Sequence, residues 1–333
     1  MHEDLAALFA QIPSPAEPLR EGYFSALPVP SLARHRVAKD AHGAPAILIA
    51  VADVSGDKRL APIVLENLSV HHDVDCRITS PGGVAEEGTF TVVRCTGGDR
   101  TLQSYFLRVA AIMLQALEDS PSSLSVAQAV SRLAELFHAM RQPPRKSLQG
   151  LWAELFLIAR AQDPIMLTEA WHTSPEELFD FSLGSQRIEV KSARGRVRKH
   201  HFALGQLQSP VGAQVMIASM FIEPVEAGTS LTDLSEQIRH RLAGRADLML
   251  RVESVIGLTL GEGLRQAMGD RFDTELAEKS LAFYDPESIP KVNPDVPSGV
   301  SDVRFKSDLT GKQPVETPRM RGAAGIFRAA LRQ

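Results

Sequence analysis

The stretch that decides the fold reads Leu178-Phe-Asp-Phe-Ser-Leu-Gly-Ser-Gln-Arg-Ile-Glu-Val-Lys-Ser192. Apolar and polar residues alternate along it, and Gly184-Ser185 interrupts the alternation, so the pattern predicts two short strands joined by a tight turn. Successive side chains of a strand point to opposite faces. One face should hold the apolar residues Phe179, Phe181, Leu183, Ile188 and Val190. We therefore expect Asp180, Glu189 and Lys191 to converge on the other face.

Two carboxylates and an amine are the groups that a metal-dependent phosphodiesterase needs. Mg²⁺ takes hard oxygen ligands and usually accepts one or two carboxylates from the protein, with water and substrate phosphate completing its shell. The metal lowers the pKa of its bound water, and a nearby ammonium group stabilises the developing charge. The same three residues are also compatible with a surface hairpin whose solvated face carries charges.

The spacing of Asp180 and Glu189-Val190-Lys191 resembles the signature of the PD-(D/E)XK nucleases, which include many restriction endonucleases. Upstream, the segment Ser147-Leu-Gln-Gly-Leu-Trp-Ala-Glu-Leu-Phe156 resembles the helix that carries the first acidic residue of that fold, here Glu154. The stretch Arg187-Ile-Glu-Val-Lys-Ser192, followed by His201-Phe-Ala-Leu-Gly-Gln-Leu207, is similar to bacterial PD-(D/E)XK-motif proteins of restriction and phage-defence gene clusters. The resemblance is most specific over about residues 145–210. Phe179 stands where the signature often has proline.

The resemblance implies a Mg²⁺-dependent DNA endonuclease, a hydrolase of phosphodiester bonds in which Mn²⁺ substitutes for Mg²⁺. Asp180 and Glu189 would bind the metal, Lys191 would assist the nucleophile or the transition state, and Glu154 would support the site as a further ligand. It also implies a restriction or phage-defence system with an ATPase or helicase-like subunit and a methyltransferase. The chain lacks a Gly-x-x-x-x-Gly-Lys-Ser/Thr loop, so ATP dependence would come from partners. A homodimer would explain double-strand cutting.

A helix is predicted from Ser147 to about Ala161, with leucine and isoleucine residues at helical spacing. Glu154 borders that apolar stripe. An ionised group is costly to bury without a partner, so Glu154 either backs the metal site or pairs with a nearby base.

A basic segment follows Lys191 directly and is expected to lie beside the metal site. Clusters of lysine and arginine neutralise phosphates and bind DNA independently of sequence; a flexible solvated loop is the alternative. Gln206, at the start of the next predicted helix, is a polar residue that would face the site. The candidate DNA-binding residues are Arg194, Arg196, Arg198, Lys199, His201 and Gln206.

The order of elements predicts a mixed α/β (α+β) chain with a restriction-endonuclease-like αβββαβ core. A buried strand at 214–222 and a helix capped by Ser230 or Thr232 follow the basic segment. The Pro143-Pro144 pair marks a boundary. We expect a β-rich N-terminal domain for recognition or docking at residues 1–141, the nuclease core at 145–255, and an extension at 256–333 whose tail carries Arg319, Arg321, Arg328 and Arg332.

The N-terminal domain should hold strands within residues 46–106 and helices at about 102–118 and 125–140. A short helix is predicted at 4–10. The prolines between Pro13 and Pro30 predict an extended arm along the surface.

Composition favours a globular protein: 44% of the residues are hydrophobic and 23% are charged. No apolar run reaches the length of a membrane span, and the first residues do not resemble a signal peptide. The two cysteines, Cys76 and Cys95, predict free thiols in a cytoplasmic protein. Because the net charge is −4, any contact with DNA must come from a local basic patch.

Two other functions fit the sequence. The fold also serves in DNA-docking or scaffold subunits with little or no catalysis, although the retention of Asp180, Glu189 and Lys191 argues against this. An RNA-cleaving nuclease of the same fold is the second. The chain offers no aromatic-rich platform for stacking single-stranded bases, and aromatic residues make up only 6% of it.

Overall fold

A computed structural model describes residues 4–14, 22–52, 60–83, 85–174, 176–208, 211–242, 244–292, 296–316 and 322–332. The chain divides into two compact units, residues 1–141 and 142–333. Across the described ranges, no helix combines the length and the apolar character that crossing a membrane requires.

The first unit is mainly β-structure with three helices in its described residues. Its strands are β1 (Tyr23–Val29), β2 (Leu32–Lys39), β3 (Pro45–Ile49), β4 (Ile63–Val64), β5 (Leu68–Thr79) and β6 (Ala85–Cys95). Its helices are α1 (Leu5–Gln11), α2 (Arg100–Gln115) and α3 (Ser123–Ala139). The side chains of Asp4, Asp99 and Ser122 cap the three helices by accepting backbone N–H groups. The helix predictions at 4–10, 102–118 and 125–140 are thus right to within a few residues.

The sheet of the first unit closes on itself. Its strand order is β1-β2-β3-β6-β5-β4, and β1 also pairs in parallel with β5. Closure encloses an apolar core, which is formed by Phe24, Ala26, Ala38, Ala46, Leu48, Ala50, Cys76, Ile78, Phe90 and Val92. Both cysteines are buried and stand outside any disulfide.

The predicted proline-rich arm is wrong where the structure describes it. Residues 23–29 form β1, with Phe24, Ala26 and Val29 buried in the core. Pro28 is tolerated because it lies beyond the three residues that pair with β5, and because the register with β2 shifts beside it. The remaining part of the arm at 15–21 lies outside the described residues.

The second unit contains helices α4 (Leu148–Arg160), α5 (Pro164–Ala170), α6 (Leu231–Arg241), α7 (Ala246–Leu260), α8 (Leu264–Ala267), α9 (Thr274–Ser280) and α10 (Gly325–Ala329). Its strands are β7 (Phe181–Leu183), β8 (Gln186–Ala193), β9 (Lys199–Ala203), β10 (Gln214–Phe221), β11 (Pro224–Ser230), β12 (Arg271–Phe272), β13 (Ala282–Tyr284) and β14 (Arg304–Asp308). The mixed α/β (α+β) class predicted from the sequence is confirmed.

The central sheet of the second unit has the order β13-β10-β8-β7. The hairpin β7–β8 is antiparallel, and Gly184 in its turn adopts φ 54°, a conformation that glycine accepts without strain. Strand β10 then runs parallel to β8, and β13 is antiparallel to β10. Leu183 is 42% exposed, contrary to its predicted place on the apolar face, because β7 ends there at the turn.

The strand after the hairpin departs from the predicted single-sheet order. Strand β9 leaves the central sheet and pairs with β14, so residues 304–308 of the expected extension complete a two-stranded ribbon beside it. A single 3-10 turn, Leu204–Gln206, stands where a full helix was expected. At the point of departure Gly195 turns the chain at φ 76°. In β9, which follows, His200 and Phe202 are buried on one face.

Helix α4 brings the first acidic residue to the sheet. Ser147 caps it by accepting the Gly150 N–H, and the helix packs on β8 and α6. Every residue from Leu151 to Ala159 is buried, a wider surface than the predicted stripe. A helix that is apolar on all sides is an interior helix. Glu154 therefore lies inside the unit, 3% exposed, and needs partners.

Candidate active site

Asp180 is held by the second strand of the hairpin and by Lys146. It lies just before β7 and is 5% exposed. Its Oδ2 accepts the backbone N–H of Val190 at 2.8 Å, and its Oδ1 accepts a hydrogen bond from Lys146 Nζ at 2.9 Å. One oxygen is thus fixed by the backbone of β8, between the two residues of the Glu-x-Lys motif.

Glu154 is held by two ring donors. Its Oε2 lies 2.8 Å from Trp171 Nε1 and 2.8 Å from His172 Nε2. The rings are positioned because Trp171 forms a β-bridge with Phe181 and the His172 N–H donates to the Asp180 carbonyl at 2.9 Å. The other oxygen, Oε1, accepts from Lys146 at 3.3 Å.

Glu189 lies on β8 and is held by Lys191 and Gln206. Lys191 Nζ donates to Glu189 Oε1 at 2.6 Å, and Gln206 Nε2 donates to the same oxygen at 2.7 Å. Gln206 Oε1 in turn accepts from Lys191 at 3.1 Å. The other oxygen of Glu189, Oε2, is buried and has no hydrogen-bond partner among the described residues.

Together these residues make what we term the carboxylate cluster: Glu154, Asp180, Glu189, Lys146 and Lys191. In each of the three carboxylates, one oxygen accepts hydrogen bonds from neighbouring groups, which we call the surrounding shell. These groups are Trp171 and His172 for Glu154, the Val190 N–H for Asp180, and Lys191 and Gln206 for Glu189. The second oxygen either contacts only the Lys146 ammonium group or has no partner. Buried polar atoms are normally satisfied, so a buried carboxylate oxygen without a partner is an open position for a cation.

His172 lies within the same group of possible metal ligands as Glu154 and Asp180. Its Nδ1 is buried without a partner, which fits a bare ring nitrogen and a proton on Nε2 donated to Glu154. A histidine that binds a metal usually donates its other N–H to an acceptor. If His172 bound the metal through Nε2, the nitrogen that faces Glu154, its Nδ1–H would have no acceptor among the described residues. Its geometry therefore suits a residue that positions Glu154.

Burial shifts the protonation of the cluster. Burial, and after it the charge of Asp180, raises the pKa of Glu189 to about 8 against the opposing effect of Lys191. Burial and the charge of Glu154 raise the pKa of Asp180. Burial also opposes ionisation of Glu154, but His172 and Lys146 outweigh it, so the pKa of Glu154 is lowered. A divalent cation would relieve the repulsion among the three carboxylates.

The basic segment divides between the surface and the interior. Arg194, Arg196, Lys199 and His201 are exposed. Arg194 Nε donates to Gln149 Oε1 at 3.2 Å, and Gln149 also donates to Ser192 on β8 at 3.0 Å, which ties Arg194 to the start of α4. Across the ribbon, Lys306 lies opposite His201 and Arg304 opposite Ala203, and both are exposed. These two residues enlarge the basic surface beyond the segment that the sequence singled out.

Arg198 and Gln206 do not occupy the positions expected of phosphate contacts. The Arg198 guanidinium donates to the carbonyl and Oγ of Ser219, both at 2.8 Å, and to the Ser280 carbonyl, and it lies 4.5 Å from the centre of the Phe221 ring. Gln206 is engaged by Glu189 and Lys191. We therefore leave both out of the proposed DNA contacts, because their polar groups already have protein partners.

We call Arg198, His200, Ser219 and Ser280 the arginine cluster. His200 Nε2 lies 2.8 Å from Ser219 Oγ, and burial lowers the pKa of His200 to about 4. The cluster ties β9 to β10 and to the end of α9.

Sequence reasoning missed Lys146, Trp171 and His172. The apolar surroundings of Glu154 predicted that it needs a partner. The spacing did not indicate that its partners lie 8 positions before it and 17 and 18 positions after it. Lys146 directly precedes the helix cap Ser147, a position that ordinarily belongs to a solvated loop.

Comparison with known families agrees with the motif. The profile of a family described as "Putative PD-(D/E)XK family member, (DUF4420)" matches residues 6–310. Because the match covers most of the chain, the protein belongs to this family and to the PD-(D/E)XK class of nuclease-like folds. No curated protein and no solved structure matches it.

Proposed function

We propose that the protein is a Mg²⁺-dependent DNA endonuclease, with Mn²⁺ able to replace Mg²⁺. The observation that carries the proposal is the carboxylate cluster, in which three buried carboxylates each keep one oxygen for a cation while the shell holds the other. Asp180, Glu189 and Glu154 would hold the metal. Hard oxygen donors of this kind suit Mg²⁺ and Mn²⁺.

The chain's own residues have distinct tasks in this proposal. The metal, when bound, would activate water and neutralise charge on the phosphate. Lys191, which is fixed by Glu189 and Gln206, would orient the attacking water and stabilise negative charge as it develops on the phosphoryl oxygens. Trp171 and His172 hold Glu154, and the Val190 N–H holds Asp180, so the ligands need little reorganisation.

The exposed basic surface would bind the DNA backbone. We assign this role to Arg194, Arg196, Lys199 and His201, joined by Arg304 and Lys306 on the facing strand. Exposed cations of this kind neutralise phosphates and position the duplex without reading its sequence. Lys199 lies 3.7 Å from Asp308, and Arg304 lies 3.1 Å from Asp302, so these ion pairs should reduce the contributions of both residues to DNA binding.

We place the nuclease in a bacterial restriction or phage-defence system, on the resemblance of its motif block to proteins of such gene clusters. An ATPase or helicase-like subunit and a methyltransferase would then control cleavage, and a homodimer would permit double-strand cutting. The first unit would recognise the target or dock a partner.

A second function is favoured by one observation: Lys146 already supplies a positive charge to Asp180 and Glu154. A protein in which an internal lysine permanently replaces the metal would be a DNA-docking subunit without catalysis. The two functions differ in whether a divalent ion enters the cluster.

A crystal soaked in Mn²⁺ distinguishes them, because anomalous scattering locates the ion without partner proteins or the right DNA sequence. We expect a peak bound by Asp180 Oδ1 and Glu189 Oε2. No peak at saturating Mn²⁺ would reject the nuclease and leave the docking subunit. Digestion of plasmid DNA and of RNA side by side, with Asp180→Asn as the matched control, then tests the reaction and the choice of substrate.

A further inference from the structure

Lys146 lies where the cluster offers oxygens to a cation. Its Nζ is 2.9 Å from Asp180 Oδ1 and 3.3 Å from Glu154 Oε1, the two oxygens that the surrounding shell leaves free. Its charge also acts on Glu189, the third carboxylate. Lys146 is therefore the direct counter-ion of Asp180 and Glu154, whereas Lys191 pairs with Glu189.

A metal bound by the same oxygens would compete with this ammonium group. Mg²⁺ needs its oxygen ligands at about 2.0–2.1 Å and nearly octahedral geometry. An ion that close to Asp180 Oδ1 and Glu154 Oε1 would lie next to Lys146 Nζ, and two unscreened positive charges at that separation repel strongly in a buried site. The two cations cannot share these oxygens at their observed positions.

The geometry also allows the Lys146 side chain to leave the carboxylate cluster. Its side chain is 24% exposed, whereas the carboxylates it contacts are 4% and 7% exposed. The backbone around it is anchored, since the Arg145 N–H donates to the Thr259 carbonyl at 2.9 Å and the Gln142 carbonyl accepts the Glu262 N–H at 2.9 Å. Rotation of the lysine side chain toward solvent would vacate the position without moving the loop.

We propose that Lys146 is a built-in competitor of the divalent metal: its ammonium group neutralises Asp180 and Glu154 in the metal-free protein and leaves when the metal binds. This inference rests on the proposed function, because it assumes that a metal enters the cluster. It adds a residue that sets the metal affinity and keeps the buried carboxylates compensated before loading.

The test is the affinity for Mn²⁺, measured by calorimetry on the full chain without DNA. Lys146→Met keeps the length of the side chain and removes its charge. We expect it to bind Mn²⁺ roughly tenfold or more tightly than the wild type, within the range usual for coupled binding events. Arg145→Met is the matched control, because Arg145 is the neighbouring cation and pairs with the exposed Glu176 outside the cluster. It should bind Mn²⁺ as the wild type does.

The outcomes separate this inference from the proposed function. If Lys146→Met and the wild type bind Mn²⁺ equally, or the variant binds more weakly, the competition is refuted while the metal site stands. If neither binds Mn²⁺, both ideas fail.

Removal of Lys146 leaves buried carboxylates uncompensated and could prevent folding. A second measurement therefore uses the wild-type protein alone. Acetylation of wild-type lysines is followed by mass spectrometry with and without Mn²⁺, and Lys291, which pairs with Glu287, serves as the reference. Acetylation of Lys146 should rise several-fold when Mn²⁺ saturates the site. Continued protection of Lys146 at saturation would overturn the proposal.

Discussion

The second unit contains two buried polar clusters that differ in one respect. In the arginine cluster, Ser219 and Ser280 accept from the Arg198 guanidinium, and His200 shares the Ser219 hydroxyl. The carboxylate cluster leaves Glu189 Oε2 without a partner and gives Asp180 Oδ1 and Glu154 Oε1 only a movable lysine. One cluster is closed and the other is open.

This difference distinguishes a polar cluster that stabilises the fold from a polar cluster that can bind a ligand. A buried polar network contributes to stability when its groups are satisfied, and each unsatisfied group carries a penalty of about 1–3 kcal/mol. A cluster that keeps unsatisfied or weakly held carboxylate oxygens is stable only because Lys146 and Lys191 compensate it. Such an arrangement is typical of a ligand-binding site.

The largest effect is expected from Lys191→Ala, which removes the amine that we assign to the reaction. Cleavage should fall by about 10²–10³-fold, the usual loss when one group that stabilises the transition state is removed. DNA affinity should stay nearly unchanged, because the Lys191 side chain is largely buried and its ammonium group is held by Glu189 and Gln206.

Cleavage and DNA binding are compared on the same preparation, with Lys199→Ala as the control. Lys199 is exposed on the ribbon and should affect binding more than the rate at saturating DNA. If Lys191→Ala cleaves like the wild type, the assignment of the site is wrong.

The hairpin that carries this residue was predictable because its periodicity and turn are local. Alternation over residues 178–192 placed two strands and the turn at Gly184, and the resemblance added Glu154 from the helix before them. In the structure Lys146 joins Asp180 to Glu154, Lys191 pairs with Glu189, and the Val190 N–H, between Glu189 and Lys191, donates to Asp180.

The remaining parts depend on contacts between distant segments. Spacing could not show that Trp171 and His172 reach Glu154, since a β-bridge between Trp171 and Phe181 sets their position. The ribbon of β9 and β14 joins strands about a hundred residues apart, and no local pattern encodes such a pairing. Arg198 carries the charge expected of a DNA contact, but a charge pattern could not show that it is half-buried against β10.

The next largest effect is expected from His172→Phe, which tests whether the shell around the carboxylate cluster positions the carboxylates that would bind the metal. His172→Phe keeps a ring of similar size and removes the donor to Glu154 Oε2. Loss of such a partner typically lowers metal affinity about 10–100-fold, and we expect a loss in that range for Mn²⁺.

Calorimetry measures it, and His200→Gln in the arginine cluster is the matched control with unchanged metal affinity. An affinity for Mn²⁺ in His172→Phe equal to that of the wild type would mean that Glu154 needs no positioning or does not bind the metal.

The closed cluster is tested by Ser219→Ala, which removes a hydroxyl shared by Arg198 and His200. The free energy of unfolding should fall by about 1–3 kcal/mol, because buried partners lose a hydrogen bond. Urea unfolding measures this, with Ser182→Ala on β7 as a control expected to lie within about 0.5 kcal/mol of the wild type. Mn²⁺ affinity should be unaffected in both. A Ser219→Ala protein with full stability but weakened metal binding would reverse the roles that we give the two clusters.

Exposed cations outside both clusters should show a smaller and purely electrostatic effect. Arg194→Ala combined with Arg196→Ala should weaken DNA binding about equally on different sequences and reduce the salt slope by about 2, one for each lost phosphate contact. Binding titrations at several salt concentrations measure the slope. The double variant Arg239→Ala with Arg241→Ala, on α6, removes two cations elsewhere in the second unit and should leave the slope unchanged. Equal slopes in all three proteins would remove the basic segment from the DNA-binding surface.

The last expected difference is in how pH acts on the two clusters in metal-free protein. The folded pKa of Glu189 is raised to about 8 from 4.5, so the native state holds a proton that the unfolded state has lost between these values. Stability should therefore fall as pH rises from about 4.5 to 8. The folded pKa of His200 is lowered to about 4 from 6.5, so its contribution is lost as pH falls through that interval.

Urea unfolding in the presence of a chelator, repeated from pH 4 to pH 9, separates the two contributions. Glu189→Gln should flatten the decline on the alkaline side, and His200→Gln should flatten the decline on the acidic side. Each variant serves as the control for the other, because each leaves one cluster intact. Parallel curves for Glu189→Gln and the wild type above pH 6 would show that Glu189 ionises normally, and the carboxylate cluster would then lack the repulsion that a bound metal is expected to relieve.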